Sequence, residues 1–351
     1  MAYARTVLGD IADQELGVTL SHEHLICDSR MWLSPPPEDE IGRQLAAAPE
    51  PTLDTLWWHR QFPNSNASVL VLDDEATAIA ELREFARLGG GTLVELTCAM
   101  GRHLSAMRRI SAATGVHVVA GTGHYIAASH APQVATATVP ELANAMIADI
   151  EHGDSDGTRC GVIGELGMSW PVHPDELKVL RAAAHAQRAT GTAISIHTAA
   201  HAVDEDSALL AADVLAAEGA DLSRVVMGHM DTSLHRPDYH RAALARGCMI
   251  QYDLFGHEFF ESENDFQSFG DTETVRAVAK LVEDGWADQI LLSHDICYKI
   301  QLQKYGGYGY GHILRNIVPR LKLCGVPEDV ITRILRDNPR RIFAMPGGDG
   351  A

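Results

Sequence analysis

Short runs of Val, Ile and Leu recur along the chain, each followed by a longer segment with apolar residues at helical spacing. The runs lie at 17–24 (GVTLSHEH), 92–98 (TLVELTC), 116–121 (VHVVAG), 161–165 (GVIGE), 193–197 (AISIH), 225–229 (VVMGH), 248–253 (CMIQYD) and 290–295 (ILLSHD). Most lack clean polar alternation, the pattern of strands covered on both faces. Helices are predicted over 74–88, 139–151, 174–190, 205–218 and 272–283. Strand then helix, repeated eight times, predicts an α/β fold of the (β/α)8 TIM-barrel type. An open doubly wound sheet is the alternative. It would normally carry a Gly-rich phosphate turn after its first strand, and none is present.

The segment 29–68 departs from this rhythm. It holds Pro35, Pro36, Pro37, Pro49, Pro51 and Pro63 together with Trp32, Trp57 and Trp58. Long loops in compact domains are functional or disordered, and three tryptophans argue against disorder. After the first strand of a barrel such an insertion lies on the catalytic face, so it is expected to be a lid or pocket wall. The same aromatics would equally serve as a seal for the barrel or as a homodimer contact. No second domain and no repeat interrupts the pattern, so residues 1–351 are read as one domain.

The strand candidates share chemistry at their C-terminal ends. The first ends in His22-Glu23-His24, the fourth in Glu165, the fifth in His197, the sixth in His229 and the eighth in Asp295. Residues i and i+2 of a strand point the same way, so His22 and His24 converge while Glu23 faces away. Strand ends on one face of a barrel surround a common centre, so four imidazoles and two carboxylates aim at one point. That donor set suits zinc foremost, or manganese or cobalt, rather than an all-oxygen calcium or magnesium site. It exceeds the three ligands of one open catalytic zinc and suffices for two ions if Glu165 bridges them. A water bound between two such ions is a nucleophile near neutral pH.

Composition narrows the classes. The chain has 28 Lys+Arg against 47 Asp+Glu, a net charge of -19, which argues against non-specific nucleic-acid binding. No apolar run is long enough for a membrane span, and Asp10, Asp13 and Glu15 interrupt any secretory signal at the start of the chain. Cys27, Cys98, Cys160, Cys248, Cys297 and Cys324 form no C-x-x-C pair and read mostly as buried free thiols. The expected location is therefore the reducing cytoplasm, and the expected partner a small-molecule substrate.

The motifs GVTLSHEHL, GTGHY, CGVIGELG, SIHT, MGHMD, YDLFG and LLSHD, spread over nearly the whole chain, resemble the phosphotriesterase family of the amidohydrolase superfamily. Pro35–Pro37, the stretch 89–95, CGVIGELGMSWP and KYGGYGYGHIL bring it nearest the phosphotriesterase-related branch. The resemblance implies a binuclear metal-dependent hydrolase. One ion would be held by His22, His24 and Asp295, the other by His197 and His229, with Glu165 bridging where phosphotriesterase itself uses a carboxylated lysine. The family's proton-shuttling His after strand seven is Leu254 here, which lowers the expectation of phosphotriester hydrolysis. Asp295 is then both ligand and catalytic general base or acid. Asp231 is expected as an alternative proton acceptor or as support behind His229.

The branch implies hydrolysis of an N-acyl amino compound such as N-acetyltaurine. A lactone, a carboxylester or an organophosphate is the alternative, and a non-catalytic metal-containing binding protein is the competing class. Tyr125 and Lys299 are expected to face the substrate, with His124 and Lys304 as further candidates. Lys299 stands out because the only other lysines are Lys178, Lys280, Lys304 and Lys322.

Overall fold

The computed structural model describes residues 2–98, 101–262 and 265–347. Eight strands alternate with helices along it: β1 (Val18–Glu23), β2 (Gly90–Glu95), β3 (His117–Thr122), β4 (Val162–Gly167), β5 (Ile194–His197), β6 (Val225–Met227), β7 (Met249–Tyr252) and β8 (Ile290–Leu292). The helices that follow them in turn are α1 (Glu75–Arg87), α2 (Leu104–Thr114), α3 (Val139–Glu151), α4 (Pro174–Thr190), α5 (Ser207–Ala217), α6 (Pro237–Ala245), α7 (Asp271–Glu283) and α8 (Val318–Leu323). Strand order in the sheet is sequential from β1 to β8 and every pairing is parallel. This is the expected (β/α)8 barrel.

The apolar runs are uniform because both faces of each strand are buried. Val94, Val119, Val162, Val226, Met249 and Leu291 form one cluster with Ala4, Leu16 and Phe343. Their neighbours Leu93, Val118, Ile163, Val225, Ile250 and Leu292 belong to a second, larger cluster shared with the helices. Successive residues point to opposite faces, so the first cluster fills the barrel and the second lies between sheet and helices. Tyr3–Thr6 pairs antiparallel with Gly9–Ala12 and with Ala344–Met345, and these terminal segments cover the N-terminal end of the barrel.

The seam between β8 and β1 is closed differently. Among the described residues no ladder joins them; instead Ser21 Oγ donates to Leu292 O (3.2 Å), His22 N to Ser293 Oγ (3.0 Å) and Asp295 N to His22 O (3.1 Å). Strands β6 and β8 also stop short of the predicted 229 and 295. His229 (φ 56°) and Asp295 (φ 49°) adopt the left-handed region and break the ladder. Such backbone is uncommon outside glycine and concentrates at functional sites.

Helices α3 and α4 match their predicted bounds because their caps are encoded locally. Thr138 N donates to Glu141 Oε2 (2.8 Å) while Glu141 N donates to Thr138 Oγ1 (3.4 Å), a reciprocal cap, and Gly191 ends α4 with a left-handed φ of 71°. The insertion after β1 contains the short helices Glu40–Ala46 and Leu56–His59. Trp58 is buried against Phe62 and His59, Trp57 is exposed, and Trp32 turns toward the barrel mouth. All six cysteines are free: Cys27, Cys98, Cys160 and Cys248 are buried, Cys297 is partly covered, and Cys324 is exposed, contrary to the buried reading. No helix among the described residues is long and apolar enough to cross a membrane.

Candidate active site

The side chains ending β1, β4, β5, β6 and β8 meet at the C-terminal mouth of the barrel. Glu165 is at the centre: its Oε2 lies 2.7 Å from His197 Nδ1, 3.1 Å from His229 Nε2 and 3.6 Å from His22 Nε2. Its Oε1 lies 3.9 Å from His24 Nε2. Asp295 Oδ1 is 3.0 Å from His24 Nε2 and 3.6 Å from His22 Nε2. His197 Nδ1 and His229 Nε2 are 2.6 Å apart. The strand-end pattern thus brings together all six residues singled out from the sequence.

A surrounding set of carboxylates fixes the imidazoles. Asp253, fully buried at the end of β7, accepts from His22 Nδ1 (2.9 Å), His229 Nδ1 (3.0 Å) and His229 N (2.9 Å). Thr97 Oγ1 donates to Glu95 Oε1 (2.8 Å), so it accepts from His24 Nδ1 (2.8 Å). Each of these three rings has its Nδ1 proton committed outward, which leaves the Nε2 lone pair facing the centre. Glu23 points away from the site as expected, accepting from Ser293 Oγ, His294 N and Ile296 N.

Burial and imidazole–carboxylate attraction oppose one another across the cluster. Burial opposes the charged form of every member. Against that, Glu165, Asp295 and Asp253 hold the His22 imidazole well above its ordinary range. His22 and His197 hold the Glu165 carboxyl well below the usual carboxylate range despite its burial. Asp295 is lowered in the same way by His22 and His24. His197 moves the other way, depressed by burial and by His229 beside it.

The residues present fit divalent metal. His22 Nε2 and Asp295 Oδ1 are buried without a hydrogen-bond partner, a costly condition for polar atoms unless something else engages them. Two trios, His22–His24–Asp295 and His22–Glu165–His229, hold their ligand atoms within 4.8 Å of one another. His197 falls outside those trios but lies against both Glu165 and His229.

The pocket above the cluster is walled by Ser29, Trp32, Tyr125, Leu254, Phe266, Cys297 and Tyr298, with His201, His257 and Glu261 among them. Tyr125 is where the sequence placed it, its hydroxyl 3.2 Å from His197 Nδ1. Lys299 is not: it lies outside this wall, its Nζ 3.1 Å from Glu50 and 3.6 Å from Asp73, and its backbone N–H donates to Val69 O. Strand eight is followed by a turn that carries Lys299 away from the centre. Lys304 pairs with Asp74, and His124 packs its ring against His130, so neither reaches the pocket.

Asp231 also requires correction. Its Oδ2 accepts from Leu254 N (2.6 Å) rather than from His229, and burial with Asp253 nearby pushes its carboxyl well above the ordinary range. The support behind His22 and His229 is Asp253, to which the sequence reading assigned no role. A strand-end carboxylate in YDLFG, on a strand otherwise without a ligand, was its available signal. His257, buried with both ring nitrogens unpartnered, was also missed. A larger cleft of about 1050 Å³, lined by Arg188, Arg224 and Arg341, lies at the N-terminal end of the barrel and shares no residue with this site.

A buried imidazole–carboxylate centre at the C-terminal strand ends of a barrel is an arrangement that can hold divalent metal, and the relatives of the chain make its class that of the hydrolases. Residues 3–343 match the model of the phosphotriesterase family, and the chain belongs to that family. It is 39% identical over 344 residues to a Rattus norvegicus protein named N-acetyltaurine hydrolase, covering 96% of each. A Nematostella vectensis protein named phosphotriesterase-related protein is 37% identical, covering 96% of this chain and 97% of its own. The crystal structure of a resiniferatoxin-binding protein from Rhodobacter sphaeroides superposes with a TM-score of 0.93 at 38% identity, covering 97% of this chain and 94% of the other.

Proposed function

We propose that this hydrolase cleaves the amide bond of an N-acyl amino compound, with N-acetyltaurine as the leading example. The observation that carries the reading is the convergence of His22, His24, Glu165, His197, His229 and Asp295 beneath one pocket, in a chain similar over its whole length to a named N-acetyltaurine hydrolase. In this reading His22, His24 and Asp295 would hold one divalent ion and His197 and His229 the other, with Glu165 shared between them; zinc is the first choice, with manganese or cobalt next. When bound, such ions polarise the scissile carbonyl and bring the pKa of a water toward about 7.

Asp295 acts as the base. The residue lines the pocket, so the carboxylate oxygen left over from holding the ion accepts the attacking water's proton and returns it to the leaving amine. Asp253 keeps the His22 and His229 rings oriented while this occurs. The Tyr125 hydroxyl, beside His197, is available to hydrogen-bond the substrate. Segment 29–68 serves as pocket wall through Ser29 and Trp32 rather than as a separate domain. Free cysteines and the lack of an apolar spanning helix among the described residues suit a cytoplasmic enzyme, and the exposed Leu33, Ile41, Leu53 and Trp57 suit a homodimer contact.

The test is turnover by purified protein supplied with zinc or manganese. N-acetyltaurine, N-acyl amino acids, lactones, carboxylesters and phosphotriesters form the panel, with preference for the N-acyl compounds expected. Activity confined to phosphotriesters or lactones overturns the amide assignment. The aromatic wall and the likeness to a resiniferatoxin-binding protein favour a second reading, a small-molecule binding protein. Two bound ions with no turnover of any panel member select it.

A further inference from the structure

The glycine-rich stretch 306–311 takes no part in the chemistry above, yet it is wedged against the ligand-bearing backbone. Tyr310 is buried, and its hydroxyl donates to His24 O at 2.5 Å. The other polar group of the same peptide unit, Leu25 N, donates to Glu95 Oε1 at 3.0 Å. Strand β1 ends at Glu23, so no ladder holds the peptide that follows His24. A tyrosine on one side and a glutamate on the other hold it instead. Glu95 also receives Thr97 Oγ1, which engages His24 Nδ1, so the His24 peptide and ring share one support.

The contacts continue along the stretch. Gly309 N donates to Gln301 O (2.9 Å), and Gln301 Nε2 donates to Asp295 O (3.1 Å). Ile313 N donates to His294 Nε2 (3.0 Å), whose Nδ1 meets Glu23 Oε1 (2.6 Å). The glycines permit the approach: a Cβ at Gly307 would lie 2.1 Å from Gln301 backbone, and Gly309 has a φ of +66°. None of these bonds reaches His197 or His229.

We propose that segment 306–313 is a brace for the His24–Asp295 half of the metal centre, with Tyr310 as a positioning residue acting through the His24 carbonyl. This rests on the reading of His22, His24 and Asp295 as holding one ion. Tyr310→Phe keeps the ring and removes only the hydroxyl, leaving the buried His24 carbonyl without its donor.

The test is calorimetric titration of metal-stripped protein with zinc, following both sites, with circular dichroism as the check on folding. Outer supports of metal ligands contribute about 10- to 100-fold in affinity. Y310F is therefore expected to weaken one of two sites about 10-fold and leave the other within about 2-fold. The weakened site should be the one lost in His24→Asn. Glu95→Gln loosens the same peptide from its other side and should weaken the same site, which carries the test if Y310F does not fold. Equal weakening of both sites, or of neither, overturns the brace. Wild-type protein that takes up no ion overturns the metal reading beneath it.

Discussion

Replacing Asp253 by Asn probes the centre with almost no change of shape. Three N–H groups point at this carboxylate: His22 Nδ1, His229 Nδ1 and His229 N, at 2.9, 3.0 and 2.9 Å. An amide offers one oxygen acceptor and presents its NH2 donor where the other oxygen was. At least one imidazole N–H then faces a donor, and its ring must flip or change tautomer, placing a proton on the Nε2 that faces Glu165 and Asp295. Loss of such support costs metal affinity about 10- to 100-fold per ring, or about 1.4 to 2.7 kcal/mol. His229 brings two N–H groups to one carboxylate oxygen and His22 a single one to the other, so the amide oxygen should stay with His229 and the ion held by His22 should be the one weakened. Zinc content after gel filtration, together with calorimetric affinities, reads this directly. Affinities within 2-fold of wild type at both sites would refute the orientation argument.

Asp295→Asn should lower kcat by orders of magnitude while most of the metal is retained; unchanged turnover removes its role as base. Lys299→Ala should leave KM within about 2-fold, since the ammonium is committed to Glu50 and Asp73, and a large rise in KM for anionic substrates would return it to the pocket. His59 supplies a pH test. Burial without a hydrogen-bond partner lowers its imidazole to about 4, against about 6.5 in an unfolded chain. The unfolded state then binds the extra proton, so this contribution is intact above about pH 6.5 and lost as pH falls toward 4. Thermal melts of wild type and His59→Phe should show the variant gaining relative stability across that window. Parallel curves would count against it.

Much of this protein is decided locally. The barrel was legible because strands buried on both faces need continuous Val, Ile and Leu, a pattern that survives without knowing what packs on them. Helices α3 and α4 were legible to the residue because caps such as Thr138 and Glu141 act within a few positions. The metal-binding set was legible for a topological reason: parallel strands of one barrel bring their C-terminal ends to a single place, so His22 and Asp295 meet despite their separation in the chain.

What the sequence could not determine lies one step outward, where a side chain's role depends on which distant group it meets. Lys299 and Asp231 sit at promising offsets, yet the turn after β8 delivers the lysine to Glu50 and Asp73, and Asp231 caps Leu254 N. Asp253 carried only its strand-end position as a mark, and the packing of β1, β6 and β7 is what sets it beneath two imidazoles. The seam closed by Ser21 and Ser293, and the tyrosine that grips His24, are likewise contacts between segments some 270 or more residues apart. Periodicity and strand order are properties of the chain. Hydrogen-bond partners across the barrel exist only once it has closed.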